Sequence, residues 1–489
     1  MNSRLLFLKR AEICLCILLV AVASIALSYQ ITRPLVDYDE AIYANVIVDT
    51  LHSGDKVNLN LAGHPWFEKP PLYFWVAMPL VAAFGPQEWT FRLPGIIADI
   101  LCLLFTYLIV RHLAGSITAA ATGFLILLTS PWFYFLAIEA RLDPGVVAAI
   151  LASLLVTLKG WREEKYLLLF FPIIAAGFLI KSIIILLIVP ILFIYCIAYG
   201  EWKWIRSRYL WIGSFFASLI FLPWHILETI RFGSEFWQTY LFSNLLRTTS
   251  TITGTNSVGD YVLPLMIKMP IWFWLCIGII TLFVIEAGFL RRMKHRDYRE
   301  IGAPLVSALF IFSFFTAAQT HLAAYVLPAY PFLAMFVALF AYHAFSIGQK
   351  LWAVILACIL VTSGMYYCFS FPWTSFQDEA RFANDEKQIG KTYLEHNSAV
   401  TSAGLYSLQW DGLDAINFYS GTRIIYADAR SPQKTEMIPP FYLVATIEYL
   451  NMLYKQVPQE LNQFKVAYSG EYLVMLYSQQ PFSVGGPAH

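Results

Sequence analysis

Long apolar blocks separated by short polar connections make up the first three quarters of the chain. A helix needs about 20 such residues to cross a bilayer, so the pattern predicts an all-α polytopic membrane protein with about 11 to 13 transmembrane helices. The eleven candidate blocks lie at 11–29, 93–111, 116–136, 145–158, 166–180, 182–199, 209–228, 266–290, 303–318, 323–346 and 351–371.

The shorter apolar block at 71–84 contains Pro79 and is predicted to lie near the interface as a juxtamembrane or re-entrant helix of the first outer loop. Loop charge supports this choice. With the N-terminus inside, the even-numbered connections hold most of the loop Lys and Arg, including the basic run at 291–299. A crossing at 71–84 would move that run outside, so the parity favours eleven spans. Block 11–29 is then a retained first span, not a cleaved signal peptide.

The pattern changes after residue 371. Charged helical segments appear around 375–395, and two strand-like runs follow, F-Y-L-V-A-T at 441–446 and Y-L-V-M-L-Y at 472–477. The sequence therefore predicts two parts, a transmembrane module at 1–371 and a small α/β domain outside the membrane at 372–489.

Composition agrees with a membrane protein. Hydrophobic residues make up 58% of the 489 residues and charged residues 13%, whereas a soluble domain carries roughly a quarter charged residues. The net charge of +1 gives no basis for nucleic-acid binding. The seven cysteines lie in or beside apolar blocks without a C-x-x-C spacing. They are interpreted as small apolar fillers and do not indicate a redox compartment.

Acidic and basic side chains collect in the connections predicted to face outward. They occur in D-Y-D-E (37–40), H-P-W-F-E-K-P-P (64–71), E-A-R-L-D-P (139–144), at Lys181 and in T-H-L-A-A-Y (320–325). Polar groups at a bilayer are costly, so such a cluster needs a reason. Carboxylates can act as general bases or orient nucleophiles, and Lys and Arg bind phosphate. The pattern indicates an enzyme that transfers a phosphate-linked group.

Each of these groups also has a structural alternative. The first acidic run could cap the next helix, and E-A-R-L-D-P could form an internal salt bridge. Lys181 could extend to the lipid headgroups. Arg231 and Arg247 could be interfacial anchors, and His321 could have a structural role. Asp99, inside the second block, is interpreted as a buried helix–helix contact.

Several strings in a fixed order resemble one known family. They are D-Y-D-E-A-I-Y-A, F-E-K-P-P-L-Y-F-W, F-G-P-Q-E-W-T-F-R-L-P, E-A-R-L-D-P, L-I-K-S, L-P-W, P-I-W-F-W and T-H-L-A-A-Y-V-L-P, spread over residues 30–331. This series is similar to the GT-C glycosyltransferases, the nearest members being bacterial lipid A aminoarabinose transferases and, more distantly, protein O-mannosyltransferases. The resemblance implies a GT-C fold, a polyprenyl phosphate sugar donor, and an inner-membrane location with the active site and C-terminal domain facing the periplasm.

The same resemblance implies roles for single residues. The catalytic carboxylates are expected to be Asp39, Asp143 and Glu40. The cations that bind the donor phosphate are expected to be Lys69, Lys181 and Arg247. The lipid and substrate pocket is expected to include Tyr43, Glu68, His321 and Tyr325.

Two departures from the family pattern concern a metal and a phosphate contact. Ser243 and Asn244 stand where the aminoarabinose transferases carry a histidine and a glutamate near a bound metal. No cofactor is therefore expected to be required, with a divalent metal kept as the alternative. His321 replaces a lysine, which would make any phosphate contact at that point weaker or pH-dependent.

The expected reaction is sugar transfer to a lipid A-like lipid or another envelope acceptor, by a monomer embedded in the bilayer. The C-terminal domain, which matches nothing in the family, is a candidate for governing the acceptor. Three alternatives stay open: a protein O-mannosyltransferase, a lipid-linked sugar transporter or flippase, and a structural assembly subunit. A transporter would place its charges near the membrane midplane, often on broken helices.

Overall fold

The computed structural model describes residues 3–36, 39–243, 266, 270–287, 296–318, 321–346, 348, 358–366, 374–397, 403–407, 413–426, 435–456, 461 and 463–484. The chain forms two compact units. The first, called the helical unit, contains Met1–Ile31, Trp66–Ala77 and Arg92–Phe371. The second, called the mixed unit, contains Thr32–Pro65, Met78–Phe91 and Pro372–His489. The mixed unit thus combines two pieces of the predicted first outer loop with the C-terminal segment.

Helices make up most of the chain before residue 372. In the described part they are α1 (Ser3–Ser28), α2 (Asp39–Ser53), α3 (Leu72–Phe84), α4 (Glu88–Ala114), α5 (Ile117–Leu128), α6 (Pro131–Ala137), α7 (Asp143–Gly160), α8 (Phe170–Lys181), α9 (Ile188–Tyr199), α10 (Arg208–Trp237), α11 (Pro270–Ala287), α12 (Arg296–Ala317) and α13 (Ala329–Ser346). Short 3-10 segments occupy Glu164–Leu169, Ser182–Leu187, Lys203–Arg206 and Ala323–Val326, and Gln238–Ser243 is a π-helix.

Seven helical segments of the described chain are long and apolar enough to cross a membrane, or eight if the bent pair α5 and α6 counts as one span. The prediction of an all-α, multi-span membrane protein is therefore confirmed. The predicted blocks 266–290 and 351–371 lie partly outside the described residues. Helix α3 has 13 residues and contains Pro79. At about 1.5 Å per residue it is only about 20 Å long, short of the roughly 30 Å hydrocarbon core.

The predicted blocks 166–180 and 182–199 meet at a sharp reversal. Helix α8 ends at Lys181, and Ser182 has a positive φ of 51°. A Cβ added at Gly177 would lie 2.6 Å from Ile185 Cγ1, although residues eight apart in one straight helix are separated by about 12 Å. The chain therefore turns back on itself, and Lys181 stands at the tip of a helical hairpin.

Two other predicted spans are broken. The block predicted as one span at 116–136 is two helices, α5 and α6, bent by 66°. Pro131 causes the break, because it lacks an N–H and holds the preceding Ser130 in an extended conformation. Helix α10 extends the predicted block 209–228 to Trp237 but is interrupted at Gly233, whose φ is +56°.

The C-terminal segment contains an α/β fold, as predicted from its strand-like runs. Its strands are β3 (Gly404–Ser407), β4 (Ile425–Tyr426), β5 (Thr435–Met437), β6 (Phe441–Thr446), β7 (Lys465–Ser469), β8 (Leu473–Ser478) and β9 (Phe482–Val484), after the short hairpin β1 (Asn60–Leu61) and β2 (His64–Pro65). Five of them form a sheet of order β4-β3-β6-β8-β7, while β5 pairs with β9. Strands β3, β4 and β6 are parallel, and β8 runs antiparallel to both β6 and β7.

Both faces of this sheet are covered. The helices of the segment are α14 (Thr374–Asn397), α15 (Asp414–Ser420) and α16 (Ile447–Gln456). Tyr442 and Val444 of β6 pack with Ile389 of α14 on one face, and Leu443 packs near Leu450 of α16 on the other. A strand buried on both faces reads as a continuous apolar run, which explains why F-Y-L-V-A-T could be recognised.

Candidate active site

A buried ion pair lies at the tip of the helical hairpin. The ammonium of Lys181, the last residue of α8, contacts the carboxylate of Asp143, the first residue of α7. Their side chains are 14% and 8% exposed. The two helix ends meet closely because Gly145 has no side chain, and a Cβ there would lie 3.0 Å from Ile180 Cγ2. The packing of α7 on α8 therefore holds a carboxylate and a cation together in a largely dry environment.

Tyr325 completes this group. It lies in the 3-10 turn Ala323–Val326, and its ring centroid is 5.8 Å from Lys181 Nζ. An aromatic face at this distance attracts a cation. The nearby His321 makes a backbone contact, its Nε2 lying 3.2 Å from the carbonyl oxygen of Thr316. The structure thus brings Tyr325, Lys181 and Asp143 together, as expected of a site that meets a charged substrate.

The rest of the E-A-R-L-D-P segment packs against helix α4. Glu139 is 5% exposed and pairs with Arg141, so the internal salt bridge considered from the sequence is present beside the Asp143 pair. A Cβ at Gly95 would lie 3.4 Å from the carbonyl oxygen of Glu139 and 3.5 Å from that of Arg141. Gly95 therefore allows the backbone before α7 to lie directly on α4.

Asp99 belongs to the same contact. Gly95, Asp99 and Cys102 are spaced by four and three residues, so they share one face of α4. Cys102 Sγ lies 3.4 Å from the carbonyl oxygen of Pro144. Asp99 is fully buried and lies near Asp143. Its burial agrees with its interpretation as a helix–helix contact, but its position beside Asp143 was not foreseen.

The loop that carries Glu68 and Lys69 is anchored near the end of α8. Phe67 contacts the rings of Phe232 and Phe236, with centroids 5.0 and 5.6 Å away, and it belongs to a buried cluster with Leu179. Leu179 is two residues before Lys181, and Lys69 is two residues after Phe67. The packing therefore fixes this loop beside the helix end that carries Lys181. Glu68 is exposed and Lys69 is half-buried.

The first acidic run lies in the mixed unit, at the start of α2. Asp39 is the first residue of the helix and is half-buried. Glu40 is 3% exposed, and its Oε2 accepts a hydrogen bond of 2.8 Å from the amide of Val36. Glu40 therefore has the structural role that was considered for the first acidic run, because its carboxylate binds a backbone amide just before the start of α2. Tyr43, 2% exposed, faces the interior of this unit. The catalytic roles of Asp39 and Glu40 stay predictions.

Two further expectations concern residues near 243–247. Arg247 and Asn244 lie outside the described residues, so the third phosphate-binding cation has no structural counterpart here. Within the described ranges, no three His, Cys, Asp or Glu side chains come together in a way that could hold a metal ion. No step of the chemistry proposed below involves a metal.

Sequence reasoning missed a second set of contacts, which ties α2 to the C-terminal segment. The hydroxyl of Tyr419 accepts a hydrogen bond of 2.9 Å from the amide of Leu35. Asn45 donates to the backbone carbonyl of Asp414 at 3.0 Å. No periodicity or motif links positions more than 350 residues apart, so only the structure could reveal these partners.

The fold defines a class of protein, polytopic membrane proteins with the architecture of the aminoarabinose transferase ArnT. The crystal structure of ArnT from Cupriavidus metallidurans bound to undecaprenyl phosphate superposes with a TM-score of 0.70 at 19% identity, covering 94% of this chain and 97% of that one. At this identity the likeness establishes the fold.

Sequence comparison finds one family model and several curated relatives that are similar to this chain. Residues 68–227 match the family model described as dolichyl-phosphate-mannose-protein mannosyltransferase. An uncharacterized protein of Aquifex aeolicus is 25% identical over 68% of this chain and 66% of its own length. The undecaprenyl phosphate-alpha-4-amino-4-deoxy-L-arabinose arabinosyl transferase of Edwardsiella ictaluri is 24% identical over 61% of this chain and 54% of its own length. The matched part thus spans between about half and two thirds of these curated relatives.

These findings confirm the resemblance predicted from the motifs. Residues 68–227 match that family model, and they lie inside a fold like that of ArnT.

Proposed function

We propose that this chain is a glycosyltransferase of the bacterial inner membrane. It would move one sugar from a polyprenyl phosphate, with undecaprenyl as the expected lipid, to a lipid A-like or other envelope acceptor at the periplasmic face. The observation that supports this most directly is the buried Lys181–Asp143 pair at the tip of the α8 hairpin, next to Tyr325. An anionic lipid phosphate is stabilised by a nearby ammonium group, and Lys181 is proposed to supply it.

The ion pair prepares Lys181 to bind phosphate. A lysine ammonium has three N–H donors, and Asp143 accepts from it on one side only. The other donors are proposed to reach phosphate oxygens while Asp143 holds the ammonium in place. Lys69, on the loop anchored through Phe67, is proposed to add a second positive charge. Arg247 is proposed as the third.

The reaction breaks the bond between the sugar C1 and the phosphate oxygen and forms a bond between C1 and an acceptor oxygen. Positive charge on Lys181 and Lys69 stabilises the polyprenyl phosphate as it leaves. Asp39 would take the proton of an acceptor hydroxyl. If the acceptor is a lipid phosphate, which is already ionised at neutral pH, Asp39 would only position it. No cofactor is required in this scheme. Tyr325 would line the pocket that holds the donor, next to the donor phosphate.

A second candidate is transfer to a protein hydroxyl. It is favoured by the family model matched at residues 68–227, which is described as a protein mannosyltransferase. The donor chemistry would be the same, and only the acceptor would differ.

One labelling experiment separates these functions. Membranes containing the chain are incubated with a polyprenyl phosphate bearing a radiolabelled sugar, and the label is followed into lipid and into protein. We expect label in an acceptor lipid that is separated from the donor, and no transfer with Asp39→Asn. Label in protein would favour the second candidate. Intact donor with no labelled product would contradict a transferase, and movement of intact donor between leaflets would favour a flippase.

A further inference from the structure

The Tyr419 hydroxyl joins the segment that leads into α2 to the C-terminal part of the mixed unit. The Tyr419 hydroxyl accepts from the amide of Leu35 at 2.9 Å and donates to Oε1 of Glu88 at 3.1 Å. A phenol can do both at once, since it has one proton to donate and lone pairs to accept. Leu35 is fully buried and lies four residues before Asp39. Tyr419 therefore connects the backbone before α2 to the first residue of α4.

The position of Tyr419 is itself fixed by α14. A Cβ added at Gly390 would lie 2.5 Å from Tyr419 Cβ, so α14 and α15 touch at this glycine. One turn earlier on α14, Lys387 Nζ lies 2.5 Å from Glu88 Oε1 and 5.6 Å from the centre of the Tyr419 ring. Glu88 Oε1 thus pairs with the Lys387 ammonium and also accepts the hydrogen bond from the Tyr419 hydroxyl. The hydroxyl cannot move without breaking contacts to two elements.

Two more contacts hold α2 farther along its length. Asn45 uses both hydrogens of its side-chain amide, one for the carbonyl of Ala41 and one for the carbonyl of Asp414, each at 3.0 Å. Near the end of α2, the carboxylate of Asp49 pairs with Arg423. The contacts of Asn45 and Asp49 lie at two levels of α2, and that of Leu35 lies four residues before the helix begins. Together they fix both its rotation and its translation relative to the C-terminal segment.

We infer that Tyr419 is a positioning residue for Asp39, and that one role of the C-terminal segment is to hold α2 in its active placement. This inference rests on the proposed function, because it takes Asp39 as the catalytic carboxylate. It gives the C-terminal segment a role in the rate of transfer, in addition to any role in choosing the acceptor. A carboxylate displaced by about 1 Å costs as much as a hundredfold in rate.

Tyr419→Phe tests the inference in the full-length chain, since it keeps the ring and removes only the hydroxyl. Tyr393→Phe is the matched control. Tyr393 is 2% exposed in the same unit, and among the described residues its hydroxyl bonds to the carbonyl of Ala403 and the side chain of Asn397, at 2.7 and 2.8 Å. Both variants lose hydroxyl hydrogen bonds within the fold, but only Tyr419→Phe removes the contact with the Leu35 amide.

Two readouts are needed, hydrogen exchange at the Leu35 amide and the steady-state constants for the polyprenyl phosphate sugar. We expect Tyr419→Phe to speed exchange at Leu35 and to lower kcat about ten- to a hundredfold, with the KM for the donor changed less than twofold. Tyr393→Phe should change neither readout. Asn45→Ala, which removes the middle contact, should lower kcat in the same way.

The outcomes separate the inference from the proposed function. Unchanged exchange at Leu35 in Tyr419→Phe, or an equal fall of kcat in Tyr393→Phe, would overturn the inference. A kcat of Tyr419→Phe within twofold of the wild type would overturn it as well, even with faster exchange. A loss that appears only as a higher donor KM would indicate a binding role instead. A wild-type chain that transfers no sugar would overturn the proposed function, and the catalytic role of this contact with it.

Discussion

Lys181 Nζ and Asp143 Oδ1 form an ion pair between the end of one helix and the start of another, with both side chains largely buried. Charges in such a place are stabilised mainly by each other, because water and its high dielectric are excluded. Removing either partner leaves an unpaired buried charge, whereas removing both leaves a neutral contact. The pair therefore makes a prediction that separates folding from catalysis.

We expect Lys181→Met and Asp143→Asn each to destabilise the chain by about 3–5 kcal/mol and to abolish transfer. The double variant should recover most of the stability and none of the activity. Lys165→Met is the matched control, since Lys165 pairs with Glu163 at 2.6 Å but both are more than half exposed; it should leave the unfolding temperature nearly unchanged. Thermal unfolding in detergent checks this. A double variant as unstable as either single variant would contradict the account.

The close packing inside the hairpin makes a second prediction. A Cβ at Gly177 would lie 2.6 Å from Ile185 Cγ1, and Ile185 is fully buried. Gly177→Ala should therefore cost about 1–3 kcal/mol by overpacking and shift the tip that carries Lys181. Gly278, in α11, has nothing within 4 Å of its added Cβ, so Gly278→Ala should gain up to about 1 kcal/mol. Equal unfolding temperatures for the two variants would show that the hairpin is not tightly packed.

The transmembrane class, the hairpin junction at Lys181 and the two main strands could be predicted because they depend on local patterns of apolar residues. The bend before Pro131 was missed because apolar character continues across it, although proline itself marks the break. The contact of Leu35 with Tyr419 joins positions 384 residues apart, and such a pairing leaves no trace in either local sequence. The family resemblance supplied candidate roles for Asp143 and Lys181, but only the structure shows that they pair.

The stability of the mixed unit should change with pH because Asp414 titrates. Burial raises the pKa of this carboxyl above its ordinary value of 3.8, while Arg423 and Asn417 partly oppose the shift. A raised pKa in the folded state means that the stabilising contribution is present below about pH 4 and is lost as the pH rises through the folded-state value. Asp414→Asn removes this ionisation with little change of shape.

Near pH 4 we expect Asp414→Asn and the wild type to be equally protected against hydrogen exchange. Toward pH 7 we expect Asp414→Asn to be better protected than the wild type. Hydrogen exchange at the amide of Ile424, which donates to Asn417 Oδ1 at 2.8 Å, reports on this region. The two proteins are compared at the same pH, so that the intrinsic exchange rates cancel. A difference that stays constant with pH would mean that Asp414 does not titrate as described.

A further prediction concerns Asp39, the carboxylate that is proposed to act on the acceptor. Asp39→Asn keeps the size and the first position of α2 but removes the negative charge. We expect transfer to fall at least about a hundredfold, the contribution typical of a general base, with unchanged binding of the donor. Glu163→Gln is the control, because Glu163 is exposed, pairs with Lys165 and has no proposed role in the site. Equal losses in the two variants would remove Asp39 from its proposed role.

The most direct test follows the phosphorus atom of the donor. Purified protein in liposomes is given an undecaprenyl phosphate sugar and an acceptor lipid. Phosphorus NMR follows the resonance of the donor as its phosphodiester becomes the monoester undecaprenyl phosphate, and any diester formed on a phosphate-bearing acceptor is resolved separately. The account predicts that the wild type converts the diester, while Asp39→Asn and Lys181→Met leave it intact. A diester that stays unchanged with the wild type in the presence of lipid, protein and glycan acceptors would contradict the proposal that this chain transfers a phosphate-linked sugar.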